Sequence, residues 1–313
     1  MRRAVILCVF GLLLTAALRR EAASQSNLVH QLAPGVYFRD AEMDKQIIAN
    51  TGWIVFRDYV LVIDANFPWG ARAILNDLRK TSDKPIKYVF DTHYHADHSF
   101  GNSVWVDSGA TIVCSEECTA ESKAKNPAQW ANDKGTGATS LKPYRLEHPQ
   151  ISFRDKMVVD DGTHRVELLR VGPGHTRGDA IAYLPKERIL FTGDLCVNKA
   201  GNNIADPDAD PDNWLRVLDG LAQRDVGIVI PGHGAQGTVA AIRGNRAYLA
   251  DLIHQVRAGI GRGATAEQLA QTVDLKKHNP WGQDDARNKV SIRAGYAKLK
   301  DTGRPGVTAT RRP

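Results

Sequence analysis

The stretch that most limits what this chain can fold into is the junction at residues 86–98. Ile86-Lys87-Tyr88-Val89-Phe90, preceded by Pro85, is a short β-branched and aromatic run that reads as a buried strand. It leads directly into Asp91-Thr92-His93-Tyr94-His95-Ala96-Asp97-His98. Polar, titrating side chains are costly beside a core. Along an extended chain His93 and His95 point the same way. If the chain then turns into a helix, Asp97 and His98 swing toward a second point nearby. Such crowding is tolerable around a cation, which offsets both the desolvation and the mutual repulsion.

Three later junctions repeat the theme. Gly172-Pro173-Gly174-His175-Thr176-Arg177-Gly178-Asp179 follows the apolar run Val166 to Val171. Thr192-Gly193-Asp194 follows Ile189-Leu190-Phe191, and Pro231-Gly232-His233-Gly234 follows Val226 to Ile230. Each sets one His or Asp just beyond a strand, with glycines that let the backbone approach closely. Strand C-terminal ends are where open α/β sheets build their sites.

Around these junctions the pattern is strands, a helix, then a strand ending in a histidine motif, and it occurs twice. Short strands at Val36 to Phe38, Gly52 to Phe56 and Tyr59 to Asp64 precede a helix at Ala71 to Lys80. A strand at Ala110 to Val113 and a helix at Ser115 to Lys125 follow, and residues 126–150 read as a long surface loop. The second round has strands at Met157 to Val159, Val166 to Val171, Ala180 to Leu184 and Arg188 to Thr192, then a helix at Asp212 to Gln223 capped by Asp212. From Val239 to about Lys300 the chain reads helical, with breaks near Gly259–Gly263 and Asn279-Pro280.

The N-terminus reads as an export signal: Arg2-Arg3, an apolar run Ala4–Leu18, then Ala22-Ala23-Ser24. An uncleaved anchor is the alternative. Residues 1–24 carry four Arg and one Glu, so cleavage there turns the net charge of +6 into +3. That excess is no argument for nucleic acid, and no basic stripe interleaved with aromatics is visible. Cys114, Cys118 and Cys196 remain after cleavage. A bridge between Cys114 and Cys118, or free thiols, are both open.

Together, His93-x-His95-x-Asp97-His98, His175, Asp194 and His233 resemble the metallo-β-lactamase superfamily of binuclear hydrolases, across about residues 28–250. The resemblance implies an α+β fold, a four-layer αββα sandwich of two mixed β-sheets flanked by helices. It implies that His93, His95 and His175 bind a first metal and that Asp97, His98 and His233 bind a second. Asp194 would bridge the two, and Asp97 would also act in catalysis. Nitrogen and carboxylate donors without thiolate suit two Zn²⁺ per chain, with iron and manganese left open. The implied chemistry is attack by a metal-bridging hydroxide on an ester, thioester, lactone or lactam carbonyl, or on a phosphorus or sulfur ester. Asp194 stands where the family's β-lactamases usually carry Cys or Ser, which demotes lactam hydrolysis without removing it. A mononuclear iron sulfur dioxygenase of the same fold is a further alternative.

The resulting division is a signal peptide at 1–24, a catalytic domain at 25–250, a helical extension packed on it at 251–302, and a disordered tail at 303–313. The expected partner is a small-molecule substrate in the periplasm or outside the cell, with no nucleic acid and no stable membrane association after cleavage. The oligomeric state is unassigned. Several side roles stay open. Asp91 and Asp179 read equally as acceptors behind ligand histidines or as strand-end caps. Asp64 reads as structural support for the metal loops. Phe67-Pro68-Trp69 reads as an apolar lip or a helix-start staple, and Tyr94 and Arg177 as substrate-facing or structural. Lys199 and Asn202 are candidates for holding a substrate carboxylate or phosphate. Asp206-Pro207-Asp208-Ala209-Asp210 reads as a plain polar loop.

Overall fold

A computed structural model describes residues 28–198, 201–278, 281–283 and 285–302. The expected leader, the tail 303–313 and Lys199 lie outside the described residues. A meander of β1 (Val29–Ala33), β2 (Val36–Arg39), β3 (Thr51–Val55) and β4 (Val60–Ile63) pairs antiparallel. Helix α1 (Pro68–Leu78) crosses over to β5 (Ile86–Phe90), which lies parallel to β4 with Ile63 opposite Phe90. The short helices α2 (Ala96–Ser99) and α3 (Asn102–Asp107) lead to β6 (Thr111–Ser115), and α4 (Glu116–Ala131) leads toward β7 (Ile151–Phe153). β6 and β7 extend the parallel half, so this seven-stranded sheet is mixed.

The second sheet is also mixed. β8 (Lys156–Asp160), β9 (Arg165–Arg170), β10 (Ala180–Leu184) and β11 (Ile189–Phe191) pair antiparallel. After α5 (Pro211–Leu221), β12 (Ile228–Ile230) adds in parallel beside β11. Helices α6 (Val239–Gly261), α7 (Ala266–Thr272) and α8 (Asp285–Thr302) follow.

Period-two alternation builds the layers. In β4, Leu61 and Ile63 face the other sheet, while Val60 and Val62 join Ile74, Leu78 and Trp105 under α1 and α3. In β10, Ala180, Ala182 and Leu184 face inward, while Ile181 packs with Trp214, Leu218, Tyr248 and Leu252 under α5 and α6. Strands covered on both faces read as continuous apolar runs, as these do. The result is the expected αββα sandwich. The sheets approach so closely that a Cβ on Gly52 would lie 2.3 Å from the Phe191 ring. The boundary expected between residues 250 and 251 falls inside the continuous helix α6, and α7 and α8 share its core.

Two local readings need correction. Helix α4 continues through Pro127 to Ala131 instead of giving way to loop at 126. The buried Asn126 amide donates to the Tyr94 carbonyl at 3.0 Å, and this long-range bond fastens the turn that holds the proline. The N-cap of α5 is Asp210, which accepts from the Asn213 N–H at 2.9 Å. Pro211 takes the first helical position, which suits its fixed φ, and Asp212 pairs with Arg257 instead. Cys114 and Cys118 are joined in a disulfide, and Cys196 is free and buried.

Candidate metal centre

β5 and the β11–β12 pair end at the same edge of the sandwich, and every sequence-selected ligand candidate arrives there. His93, His95 and His175 place ring nitrogens at one point; a carboxylate oxygen of Asp97 and ring nitrogens of His98 and His233 meet at another. Asp194 lies between them. Its Oδ1 is 3.3 Å from His98 Nε2 and 3.2 Å from His233 Nε2, while its Oδ2 is 3.6 Å from His175 Nε2. The expected turn into a helix is α2, which swings Asp97 and His98 to the second point. Gly232 is required here, because a Cβ would come 2.0 Å from Asp194 Oδ1.

The outer face of each imidazole fixes its tautomer. A carbonyl oxygen only accepts, so His175 Nδ1 must donate to Asn203 O at 3.0 Å, and His233 Nδ1 to Ile48 O at 2.9 Å. His95 Nε2 donates to Asp206 Oδ2 at 3.0 Å, and His98 Nδ1 to Asp64 Oδ2 at 2.9 Å. The Thr92 hydroxyl gives its hydrogen to Asp64 Oδ2 at 3.1 Å and so accepts from His93 Nδ1 at 3.1 Å. Each of the five rings therefore turns its remaining nitrogen toward the centre, where a neutral ring offers a lone pair. His95 Nδ1 stands 2.9 Å from His175 Nε2 and 3.1 Å from His93 Nε2, three inner nitrogens crowded at one point. His98 Nε2 and Asp194 Oδ1 are buried and 3.3 Å apart, yet neither is aligned in a hydrogen bond. This donor set fits metal ions, since acceptors behind ligating imidazoles fix tautomer and orientation in such sites.

Charge divides the two points. Burial, reinforced by the neighbouring His98 and His95, holds His93 well below the ordinary imidazole range. Burial and His95 press His175 down to about 4. Burial also opposes charge on His98, but Asp64, Asp97 and Asp194 outweigh it and hold that ring well above its ordinary range. His233 is likewise lifted to about 10, Asp194 and Asp97 prevailing over burial. Burial favours protonation of Asp97 and Asp194, but the facing histidines outweigh it and hold both carboxylates below their usual range.

The surrounding residues sort differently from their sequence readings. Asp64 adopts φ 64° and ties Thr92 and His98 together, as a support for the metal loops. Asp91 accepts from Asn102 at 2.8 Å and Asp179 from Thr176 at 3.0 Å, so both act as local braces and neither bonds a ligand histidine. Asn202 is buried against Asn245 and Ser291 and does not line the cleft. Phe67 stacks on Trp69 at 4.8 Å and packs with Phe100 and Leu141, which is the staple reading. Arg177 pairs with Asp208 at 2.6 Å, and the Tyr94 hydroxyl donates to Asp206. Asp206 is the residue that sequence reasoning missed. It is buried, it orients His95, and nothing in the run Asp206–Asp210 distinguishes it from Asp208. Lys125 lies 2.8 Å from Glu121, 2.9 Å from Asp208 and 3.5 Å from Asp206, which fills that acidic cluster with a side-chain cation.

Over the centre opens a cleft of about 1050 Å³ whose floor includes His95, Asp97, Asp194 and His233. A sequence model described as the metallo-beta-lactamase superfamily matches residues 45–233. The chain belongs to the metallo-beta-lactamase superfamily. A linear primary-alkylsulfatase of Pseudomonas sp. (strain ATCC 19151) is 24% identical over 245 residues, 66% of this chain and 46% of that protein. The metallo-beta-lactamase IND-1 of Chryseobacterium indologenes is 25% identical over 199 residues, 60% of this chain and 73% of that protein. Among solved structures, a metallo-beta-lactamase from Pontibacter korlensis superposes with TM-score 0.58 at 20% identity, covering 71% of this chain and 98% of that one. The inverting sec-alkylsulfatase Pisa1 from Pseudomonas sp. gives 0.67 at 17% identity, covering 86% of this chain and 50% of that one. The chain thus spans about half the length of the alkylsulfatases it matches, and at these identities the structural likeness speaks for the fold.

Proposed function

We propose that the protein is an exported, dizinc-dependent hydrolase of a small ester-like substrate. The observation that carries this reading is the inward aim of five imidazole nitrogens around one central carboxylate. In it His93, His95 and His175 would hold one metal, Asp97, His98 and His233 would hold the other, and Asp194 stands within reach of both sets. Imidazole and carboxylate donors without thiolate suit Zn²⁺. Two metal ions held there would acidify a water and draw electron density from the oxygen of the scissile bond.

The chain's own residues do the remainder. Asp97, ionised on the cleft floor with Oδ2 3.1 Å from His233 Nε2, orients the attacking water and takes up its proton. Asp206, Asp64 and the carbonyls of Asn203 and Ile48 keep the rings from rotating, so the donors are set before substrate arrives. The apolar Ala4–Leu18 segment behind Arg2-Arg3 supports export, and the Cys114–Cys118 disulfide suits an oxidising compartment. No helix among the described residues is long and apolar enough to cross a membrane.

The likeness to alkylsulfatases covers more of this chain than the likeness to β-lactamases, so sulfate esters stand beside carbonyl esters as substrates. The test is a zinc-loaded sample run against cephalosporins and carbapenems, lactones, thioesters, carboxylic esters, and phosphate and sulfate esters. The reading expects rapid turnover of one group, abolished by a chelator. Inertness toward every group contradicts it.

A further inference from the structure

Beside the candidate ligands the cleft is lined by Asp40, Asn50, Asn203 and Arg287 and by a set of aliphatic side chains. Leu28, Met43 and Ile48 line it from the N-terminal side, and Ala286 and Val290 from α8. Among the described residues three large apolar side chains are exposed: Met43 at 65%, Val290 at 50% and Val158 at 37%. Two of those three sit on this cleft. Neither serves the core. Met43 opens a one-turn helix between the charged Glu42 and Asp44. Val290 lies off the buried stripe of α8, which runs through Asn288, Ser291, Ile292 and Leu299. Exposed apolar groups gathered around a binding cleft mark surface that a ligand covers.

The rim also has a chemical character. Apart from the histidines, the described residues lining the cleft include no aromatic side chain to stack a sugar, a base or an aryl ring. Aliphatic side chains above a polar floor match a molecule with a hydrolysable polar end and a flexible hydrocarbon tail. The volume, about 1050 Å³, exceeds what a small ester needs. We propose that the substrate is an amphiphile with a linear aliphatic chain, and that Met43 and Val290 grip that chain while its polar end lies on the floor.

This inference rests on the hydrolase reading but is tested by binding. Straight-chain alkyl sulfonates from ethane to dodecane present an anionic head on a tail of graded length. They offer no sulfate ester to hydrolyse. Titrated calorimetrically below their micelle concentrations into the zinc-loaded protein, affinity should rise about fourfold for each methylene that reaches the rim. The double variant Met43→Ser, Val290→Ser, both exposed positions, should reduce that slope by at least half. Equal affinity along the series, an unchanged slope in the double variant, or no binding of any member overturns the inference. So does a dimer, seen by light scattering, whose dissociation is required for sulfonate to bind, because the rim would then cover a second copy. A graded slope without turnover of any ester would sink the hydrolase reading alone; turnover without a slope would sink only this one.

Discussion

The two triads at the sheet edge differ by one residue type, three histidines against two histidines and Asp97, and so they hold protons differently. His93, His95 and His175 form an imidazole cluster in which His93 and His175 are pressed toward neutrality. His98 and His233 face Asp97 and Asp194 and hold their protons. Without metal, the second triad is an internally paired ion network, while in the first the inner nitrogens of His93 and His175 each stand against His95 Nδ1. The difference teaches that one half can order itself with protons in place of a cation, whereas the other depends on the acceptors behind its rings.

The sharpest break in this comparison is Asp97→Ala. It removes the proton acceptor of one triad and leaves the other whole. Turnover of whichever substrate the panel identifies should fall about 10²- to 10⁴-fold, read as kcat, with the folded circular dichroism spectrum retained. Equal activity in the variant would break the assignment of roles.

Next come the supports. Asp206→Asn should weaken zinc at the first triad by roughly 10- to 100-fold, and Asp64→Asn should do the same at the second. Asparagine tolerates the left-handed backbone at residue 64, so the second variant tests the bond to His98 and not the turn. Competition with a chromophoric chelator reads both affinities. Loss at both sites from either variant would mean the triads are not separable.

These supports also mark the limit of what the sequence discloses. The seven ligand candidates were legible because each sits within a few residues of an apolar strand end, a local pattern. The sandwich was implied by the resemblance those seven residues carry, and the repeated order of strands, helix and strand agreed with it. Asp206 was not legible: its partner His95 is 111 residues away, and its neighbours Asp208 and Asp210 have the same side chain. Helix α4 past Pro127 was hidden for a like reason, since the bond from Asn126 to Tyr94 spans 32 residues. The rim of the cleft combines Met43 with Val290, a proximity that only the packing of α8 creates.

A smaller effect distinguishes the triads by pH in the metal-free protein. His175 has a folded value of about 4, below an unfolded value near 6.5, so the unfolded chain binds the extra proton and stability is lost as pH falls toward 4. His233 is the reverse: its folded value of about 10 lies above the unfolded one, so its contribution is complete below about 6.5 and is lost as pH rises toward 10. Melting temperature against pH should therefore lose part of its acid limb in His175→Gln and part of its alkaline limb in His233→Gln, each read as the difference from the parent. The same limb affected in both variants would erase the contrast. The smallest change is expected from Arg177→Ala, two residues from His175 but paired with Asp208 at the surface. It should cost less than about 1 kcal/mol in denaturant unfolding and leave zinc affinity alone.

The most direct measurement is the number of metal ions per chain. Elemental analysis of protein saturated with zinc and then desalted should give two, falling to about one when His98 and His233 are both replaced by alanine. A value of one in the parent, or an unchanged value in the double variant, would contradict a centre in which both triads hold metal.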